Sequence, residues 1–279
     1  MIFLKALAVL GLAVYLVLAA FLYSQQSKIY FPAPKTHAHA TPADIGLTFE
    51  DLRIPVETGG YLHAWWIPVR DSASAAIVFH GNAGVIDDMV KGQLQPLANL
   101  NLNLLLIDYR GYGASSALEP SERTVSEDAD AALLYLRHSR LLSPRQTFVI
   151  GGSLGTGPAV YLASKHPGLA GAILESPISS VDEIARRSPY LRILPLGVIL
   201  RTHFDNYERI AAIHCPILIA VGEQDTTTPP EMARALFDRA HEPKQLTIVP
   251  GAGHFNLVPA GGAPLQRALT EFVSTYRAK

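Results

Sequence analysis

Val149-Ile150-Gly151-Gly152-Ser153-Leu154-Gly155-Thr156-Gly157-Pro158 joins an apolar strand, Thr147 to Ile150, to a Gly-x-Ser-x-Gly turn and then to a helical segment from about Thr156 to Lys165. A serine on so sharp a strand-to-helix turn sits in strained backbone, and small residues two before and two after it let strand and helix approach without a clash. Its hydroxyl is thereby exposed as a nucleophile. Pro158 fits the helix because it falls in the first turn, where amide hydrogens have no partner inside the helix. A Gly-rich turn of this composition also arises by chance. The reading therefore depends on whether the rest of the chain supplies a base, an acid and donors for a developing oxyanion.

Outward from this turn, apolar runs without alternation occur at Ala75 to Phe79, Leu102 to Ile107, Gly171 to Leu174, Ile217 to Val221 and Leu246 to Val249. Such runs are strands buried on both faces, which implies a mostly parallel sheet covered by helices on each side. The intervening helices are expected at Val85 to Leu100, Ser126 to Arg137 and Glu231 to Ala240, with a last one carrying Leu265, Ala268, Leu269, Phe272, Val273 and Tyr276 on one face. Ahead of them, the alternating stretches Leu47 to Val56 and Tyr61 to Val69 flank Glu57-Thr58-Gly59-Gly60, a hairpin at one edge of the sheet. Residues 176–214 hold three prolines and the apolar run Leu191 to Leu200 but no clean strand, and are read as a short helical cap over the site.

The chain has 279 residues, which suits one large α/β domain, here residues 46–279. A net charge of −1 offers no basic stripe to displace counterions, so a nucleic-acid partner is not expected. The single cysteine, Cys215, begins an apolar strand and is read as buried and structural. From Ala6 to Tyr23 no residue is charged, long enough for a transmembrane anchor over residues 1–23. A signal peptide cut near Val17-Leu18-Ala19, giving a secreted protein, is the alternative. Lys5 on one side and Lys28 and Lys35 on the other do not set an orientation. Residues 24–45, polar and broken by Pro32, Pro34 and Pro42, read as a linker.

A serine nucleophile needs a histidine to take its proton and a carboxylate to orient that histidine. Asp225 follows the strand Ile217 to Val221, and His254 follows the next strand on a Gly-Ala-Gly approach. Like Ser153, both stand after the carboxyl end of a strand, where open α/β sheets bind ligands, so three separate loops converge on one crevice. The chain order Ser, Asp, His is the one found on sheets of this kind. Two other readings stay open: Asp225 as a cap for the helix near Pro229, and Glu175, just after the preceding strand, as the acid. For the oxyanion, one backbone donor is the amide of Leu154 and the other is that of Asn82 in His80-Gly81-Asn82-Ala83-Gly84. His80 is expected to hydrogen-bond within its loop. Asp108-Tyr109-Arg110-Gly111-Tyr112-Gly113 reads as a structural turn in which Arg110 ties loops together.

Phe79 to Gly84, Asp108 to Ser115, Gly151 to Gly155, Glu175-Ser176-Pro177, Asp225 and His254 together resemble the α/β-hydrolase superfamily, and within it the Bem46-like membrane-anchored serine hydrolases, a group that includes protein depalmitoylases. The resemblance spans about residues 46–279. It implies an eight-stranded, mostly parallel sheet with helices on both faces and a short helical cap, preceded by one transmembrane helix. It also implies hydrolysis of an acyl ester or thioester with neither metal nor cofactor; an anchor that places the site near a bilayer, together with an apolar cap, suits a lipid-like small molecule or a lipidated protein as the substrate. A peptide or amide hydrolase with the same triad, or a noncatalytic membrane scaffold, are the other functions this constellation allows.

Overall fold

The computed structural model describes residues 2–35, 39–189, 191 and 194–278. Eight strands form one sheet: β1 (Glu50–Pro55), β2 (Tyr61–Ile67), β3 (Ala75–Phe79), β4 (Asn103–Ile107), β5 (Thr147–Gly152), β6 (Gly171–Glu175), β7 (Ile217–Gly222) and β8 (Lys244–Val249). Their spatial order is β1-β2-β4-β3-β5-β6-β7-β8. The hairpin β1–β2 and the β2–β4 pair are antiparallel, and every later pairing is parallel. The hairpin is therefore the sheet edge anticipated from its alternating pattern. The parallel strands β3 to β7 are buried almost throughout, because helices cover both faces.

On one face α4 (Glu122–Ser139), α5 (Thr156–Lys165) and α9 (Pro230–Arg239) pack against Ile77, Leu105, Val149, Leu174 and Ile219. On the other, α2 (Ile86–Met89), α3 (Leu94–Ala98) and α10 (Leu257–Tyr276) pack against Val78, Leu106, Ile150, Ile173 and Leu218. The alternation of these strand residues between two cores is the period of two of a pleated strand. Two helices differ from expectation. The single helix expected over Val85 to Leu100 is broken into α2 and α3. A continuous helix would need an amide hydrogen at Pro96 to bond Gly92; with the break, Pro96 falls in the first turn of α3, where none is required. The last helix begins earlier than its apolar face suggested, with a kink at Gly262 (φ 45°, ψ −138°) that places Pro264 in the first turn after it.

The cap contributes α6 (Val181–Arg187), α7 (Leu196–Ile199) and α8 (Asn206–Arg209) and no strand among its described residues; residues 190, 192 and 193 lie outside them. Ahead of the sheet, α1 runs unbroken over Ile2–Tyr30 and is long and apolar enough to cross a membrane. The segment expected as a linker thus starts with two more turns of α1. It is also packed: Gln26 and Phe31 are buried, and the Phe31 ring meets Phe204 of the cap edge-on at 6.1 Å between centroids. Polar composition suggested a linker, but Gln26 meets the cap backbone and is satisfied there, which composition alone does not reveal.

Candidate active site

Ser153 closes β5 with φ +52°, a left-handed conformation costing a non-glycine residue about 1–2 kcal/mol. The surroundings hold it there. A Cβ on Gly151 would lie 2.3 Å from the Gly155 carbonyl oxygen, and one on Gly155 would lie 2.2 Å from that of Phe79. A Cβ on Gly157 would run into the Phe204 ring of the cap at 2.4 Å. These glycines let β3, β5 and α5 close on one another, and the serine is left at the tip.

Two further loops bring partners to it. His254 Nε2 lies 3.0 Å from Ser153 Oγ, and His254 Nδ1 lies 2.8 Å from Asp225 Oδ2. Asp225 Oδ1 accepts the amide hydrogens of Thr227 at 2.9 Å and Thr228 at 2.8 Å, so the carboxylate folds back on its own loop. Burial alone would raise the Asp225 carboxyl, but the Thr228 amide and His254 outweigh it and hold it below the ordinary aspartate value. An ionised Asp225 favours the tautomer with hydrogen on Nδ1 and a free lone pair on Nε2 facing the serine. The loops that carry them are tied together: Gln224 donates its amide to Ala252 O at 2.8 Å, and a Cβ on Gly222 would lie 2.4 Å from that same oxygen. Asn256 Oδ1 accepts the Gly253 amide at 2.6 Å, fixing the approach to His254.

α9 starts after Pro229 without a side-chain cap, so Asp225 is not its capping residue. Glu175 stands at the end of β6 opposite Gly152, while His254 Nδ1 is taken by Asp225; Glu175 is half-buried, and burial raises its carboxyl to about 7. One participant was not foreseen. Thr228 Oγ1 lies 3.0 Å from Asp225 Oδ2, 3.0 Å from Ser176 O and 3.2 Å from His254 Nδ1. It ties the acid, the imidazole and the end of β6 together. The run Thr226-Thr227-Thr228 after Asp225 was the available signal, since threonine two or three residues after an aspartate is placed to return a hydrogen bond.

The loop 80–84 lies beside the serine, where a Cβ on Gly81 would sit 3.6 Å from both Gly152 O and Ser153 Cβ. His80 is buried and bonds within its loop, Nδ1 to Gly81 O at 2.8 Å, as expected; burial lowers its pKa and keeps it neutral. The Asp108–Gly113 turn does more than anticipated. The Tyr109 hydroxyl donates to His80 O and the Tyr112 hydroxyl to Asn82 O, each at 3.0 Å, while Asp108 Oδ1 accepts the Ile86 amide at 3.0 Å. With its carbonyl groups held from that side, the loop 80–86 is fastened at three points beside Ser153. Arg110 points away, to Asp128 at 2.5 Å, Glu127 at 2.8 Å and the hairpin at Thr58 and Gly59, tying loops as its motif suggested. The Leu154 amide belongs to the first turn of the short 3-10 helix Ser153–Gly155 leading into α5, where donors lack intrahelical acceptors and the helix end is positive. Among the described residues no cluster of three or more His, Cys, Asp or Glu is arranged to hold a metal ion.

Comparison with known proteins agrees with this architecture. The family model described as the alpha/beta hydrolase fold matches residues 77–202. The uncharacterized protein Rv2307c of Mycobacterium tuberculosis is 35% identical over 262 residues, 91% of this chain and 89% of that protein. Alpha/beta hydrolase domain-containing protein 17B of Homo sapiens is 32% identical over 221 residues, 77% of this chain and 72% of that protein. Among solved structures, the esterase Pf2001 of Pyrococcus furiosus matches with a TM-score of 0.75 at 21% identity, over 87% of this chain and 96% of that one. At that identity the likeness is one of fold.

Proposed function

The chain belongs to the α/β-hydrolase superfamily, and from that premise we propose that it is a membrane-anchored serine hydrolase cleaving acyl ester or thioester bonds through Ser153, His254 and Asp225. The observation that carries the proposal is the relay from Asp225 Oδ2 to His254 Nδ1 at 2.8 Å and from His254 Nε2 to Ser153 Oγ at 3.0 Å. Those separations suit proton transfer without prior rearrangement.

In the first half-reaction Ser153 Oγ bonds to the acyl carbon while its proton passes to His254 Nε2. The carbonyl π electrons move to oxygen, where the backbone amides of Asn82 and Leu154 stabilise the charge, each such donor worth about 3 kcal/mol in the transition state. Collapse breaks the bond to the leaving alcohol or thiol, which takes the proton from His254. Water then repeats the sequence on the acyl-serine, giving the free acid. Asp225 stabilises the imidazolium in both halves. The apolar α1 beside the cap supports an acyl substrate drawn from a lipid-rich setting, whether a small lipid-like ester or a lipidated protein.

A fluorophosphonate probe tests the nucleophile. Labelling of the wild-type chain and none of Ser153→Ala is expected, and equal labelling would sink the assignment. Turnover of matched p-nitrophenyl esters, acyl thioesters and amino-acid anilides tests the bond type. Faster cleavage of the anilides would move the reading to amide hydrolysis, and no turnover of any of the three by folded protein would leave a noncatalytic scaffold.

A further inference from the structure

Phe255 follows the base of the proposed triad and stands in the open, its side chain 93% exposed. The backbone that carries it is fixed on both sides. Asn256 Oδ1 accepts the Gly253 amide at 2.6 Å, the Ala260 amide bonds Asn256 O at 2.9 Å, and Glu223 Oε2 accepts the Gly251 amide at 3.1 Å. From this held loop the Phe255 ring meets the His254 imidazole edge to face, with 5.1 Å between centroids and 89° between planes.

The surroundings of the imidazole fix which side of it the ring occupies. Its Nδ1 edge is closed by Asp225 and Thr228, both buried. A ring as exposed as that of Phe255 does not lie among them, so it borders the part of His254 that opens to solvent. Substrate arrives from solvent, and Nε2, 3.0 Å from Ser153 Oγ, is the atom it must reach.

The reaction places one half of the substrate at that opening. As the bond from the acyl carbon to its oxygen or sulfur breaks, the departing atom takes the proton from His254 Nε2, so it lies within about 3 Å of the imidazole. The carbonyl oxygen is turned the other way, toward the amides of Asn82 and Leu154. The chain on the departing atom therefore begins beside the imidazole, where Phe255 offers the face of an aromatic ring.

The loops around the opening supply no charge to compete. No Lys, Arg, Asp or Glu occurs in residues 80–86, 153–158, 226–230 or 250–266. Of the acidic groups at these strand ends, Asp225 is committed to His254, Glu223 to the Gly251 amide, and Glu175 is held toward its neutral form by burial. A charged leaving group would lose water here without gaining a partner, whereas an apolar chain gains contact with the ring.

We propose that Phe255 binds the leaving alcohol or thiol of the substrate and selects for an apolar chain on it. The proposal rests on reading Ser153, His254 and Asp225 as the triad, and it adds the half of the substrate that the triad leaves open: an acyl ester or thioester whose leaving group is itself apolar. A side chain this exposed is shortened without opening a cavity in the core, so its variants report binding rather than folding.

The test measures kcat/KM, which reports the half-reaction that expels the leaving group, for full-length wild type, Phe255→Leu and Phe255→Ala in one detergent. The substrates are methyl acetate, octyl acetate and methyl octanoate, followed by acid release. In Phe255→Ala the ratio of octyl acetate to methyl acetate is expected to fall about tenfold, and in Phe255→Leu by less, while the ratio of methyl octanoate to methyl acetate stays as in wild type. Partitioning into detergent cancels, because each variant is compared with wild type on the same substrate. An unchanged octyl acetate ratio overturns the proposal. An equal fall in both ratios, or a fall confined to methyl octanoate, also overturns it, since the ring would then support His254 or meet the acyl chain. Ser153→Ala separates the two readings: if it cleaves octyl acetate as wild type does, the triad and the proposal fall together. If it is inactive while Phe255→Ala keeps both wild-type ratios, only the proposal falls.

Discussion

Ser153 at φ +52° and Thr228 between Asp225, His254 and Ser176 show how much of the site's behaviour resides in single side chains. In Asp225→Asn the amide would present a donor where Nδ1–H needs an acceptor, so the imidazole turns to the wrong tautomer; kcat is expected to fall about ten-thousandfold with KM little changed, measured on a soluble ester. Thr228→Val removes one hydroxyl bond to the charged acid and should lower kcat about tenfold, the equivalent of about 1.4 kcal/mol, while leaving the fluorophosphonate-reactive serine in place. Glu175 supplies a pH prediction. Its carboxyl is raised from 4.5 to about 7 by burial. Below pH 4.5 the folded and unfolded chains both hold the proton; between there and about 7 the unfolded chain releases it and the folded chain does not, so stability falls as pH rises through that window. Glu175→Gln should lack that loss, and its melting temperature relative to wild type should climb from pH 4 to pH 8. A constant offset would count against a raised Glu175.

Among elements, the strand-turn-helix around Ser153 and the turn after β4 do the positioning. A methyl at Gly155 would lie 2.2 Å from Phe79 O, which is backbone and has little room to yield, whereas one at Gly84 meets nothing within 4 Å. Gly155→Ala is expected to cost about 1–3 kcal/mol and to weaken probe labelling, and Gly84→Ala to change neither, in parallel melting and labelling assays. Arg110 binds Asp128, whose carboxyl burial raises to about 6 even with the guanidinium beside it. Arg110→Ala takes the guanidinium from that buried carboxylate and leaves it only the residue-110 backbone amide, which should cost about 3 kcal/mol in a urea titration, far above the typical surface ion pair. The loss belongs to the link between α4 and the hairpin, so turnover by the fraction that remains folded is expected to be near normal.

For the whole molecule, the packing of the end of α1 and of Phe31 on the cap ties the amino-terminal helix to the body. Phe31 is 2% exposed against Phe204, and Phe31→Ala should lower the melting temperature by about 6–10 °C, from about 3 kcal/mol of lost packing. A chain lacking residues 1–22 keeps Gln26 and Phe31 and should still fold and cleave a soluble ester. If it does not fold, the apolar half of α1 is part of the body's core.

The sequence by itself determined the order and kind of nearly every element, because buried parallel strands read as unbroken apolar runs and a glycine pattern around a serine has few uses at a strand end. It also pointed to Ser153, Asp225 and His254, which the fold brings within hydrogen-bond distance of one another, since the strand ends of a parallel sheet converge. Tertiary structure alone decided what depends on through-space neighbours. It set Asp225 rather than Glu175 against His254 and brought Thr228 between them. It turned Tyr109, Tyr112 and Asp108 into fasteners of the loop 80–86. It broke the helix over Val85 to Leu100 around Gly92 and Pro96, and folded the polar end of α1 onto the cap. Periodicity reports which face of an element is buried; the partner that satisfies a buried Gln26 or an ionised Asp225 lies on another segment of chain, and only the packed fold brings the two within a hydrogen bond.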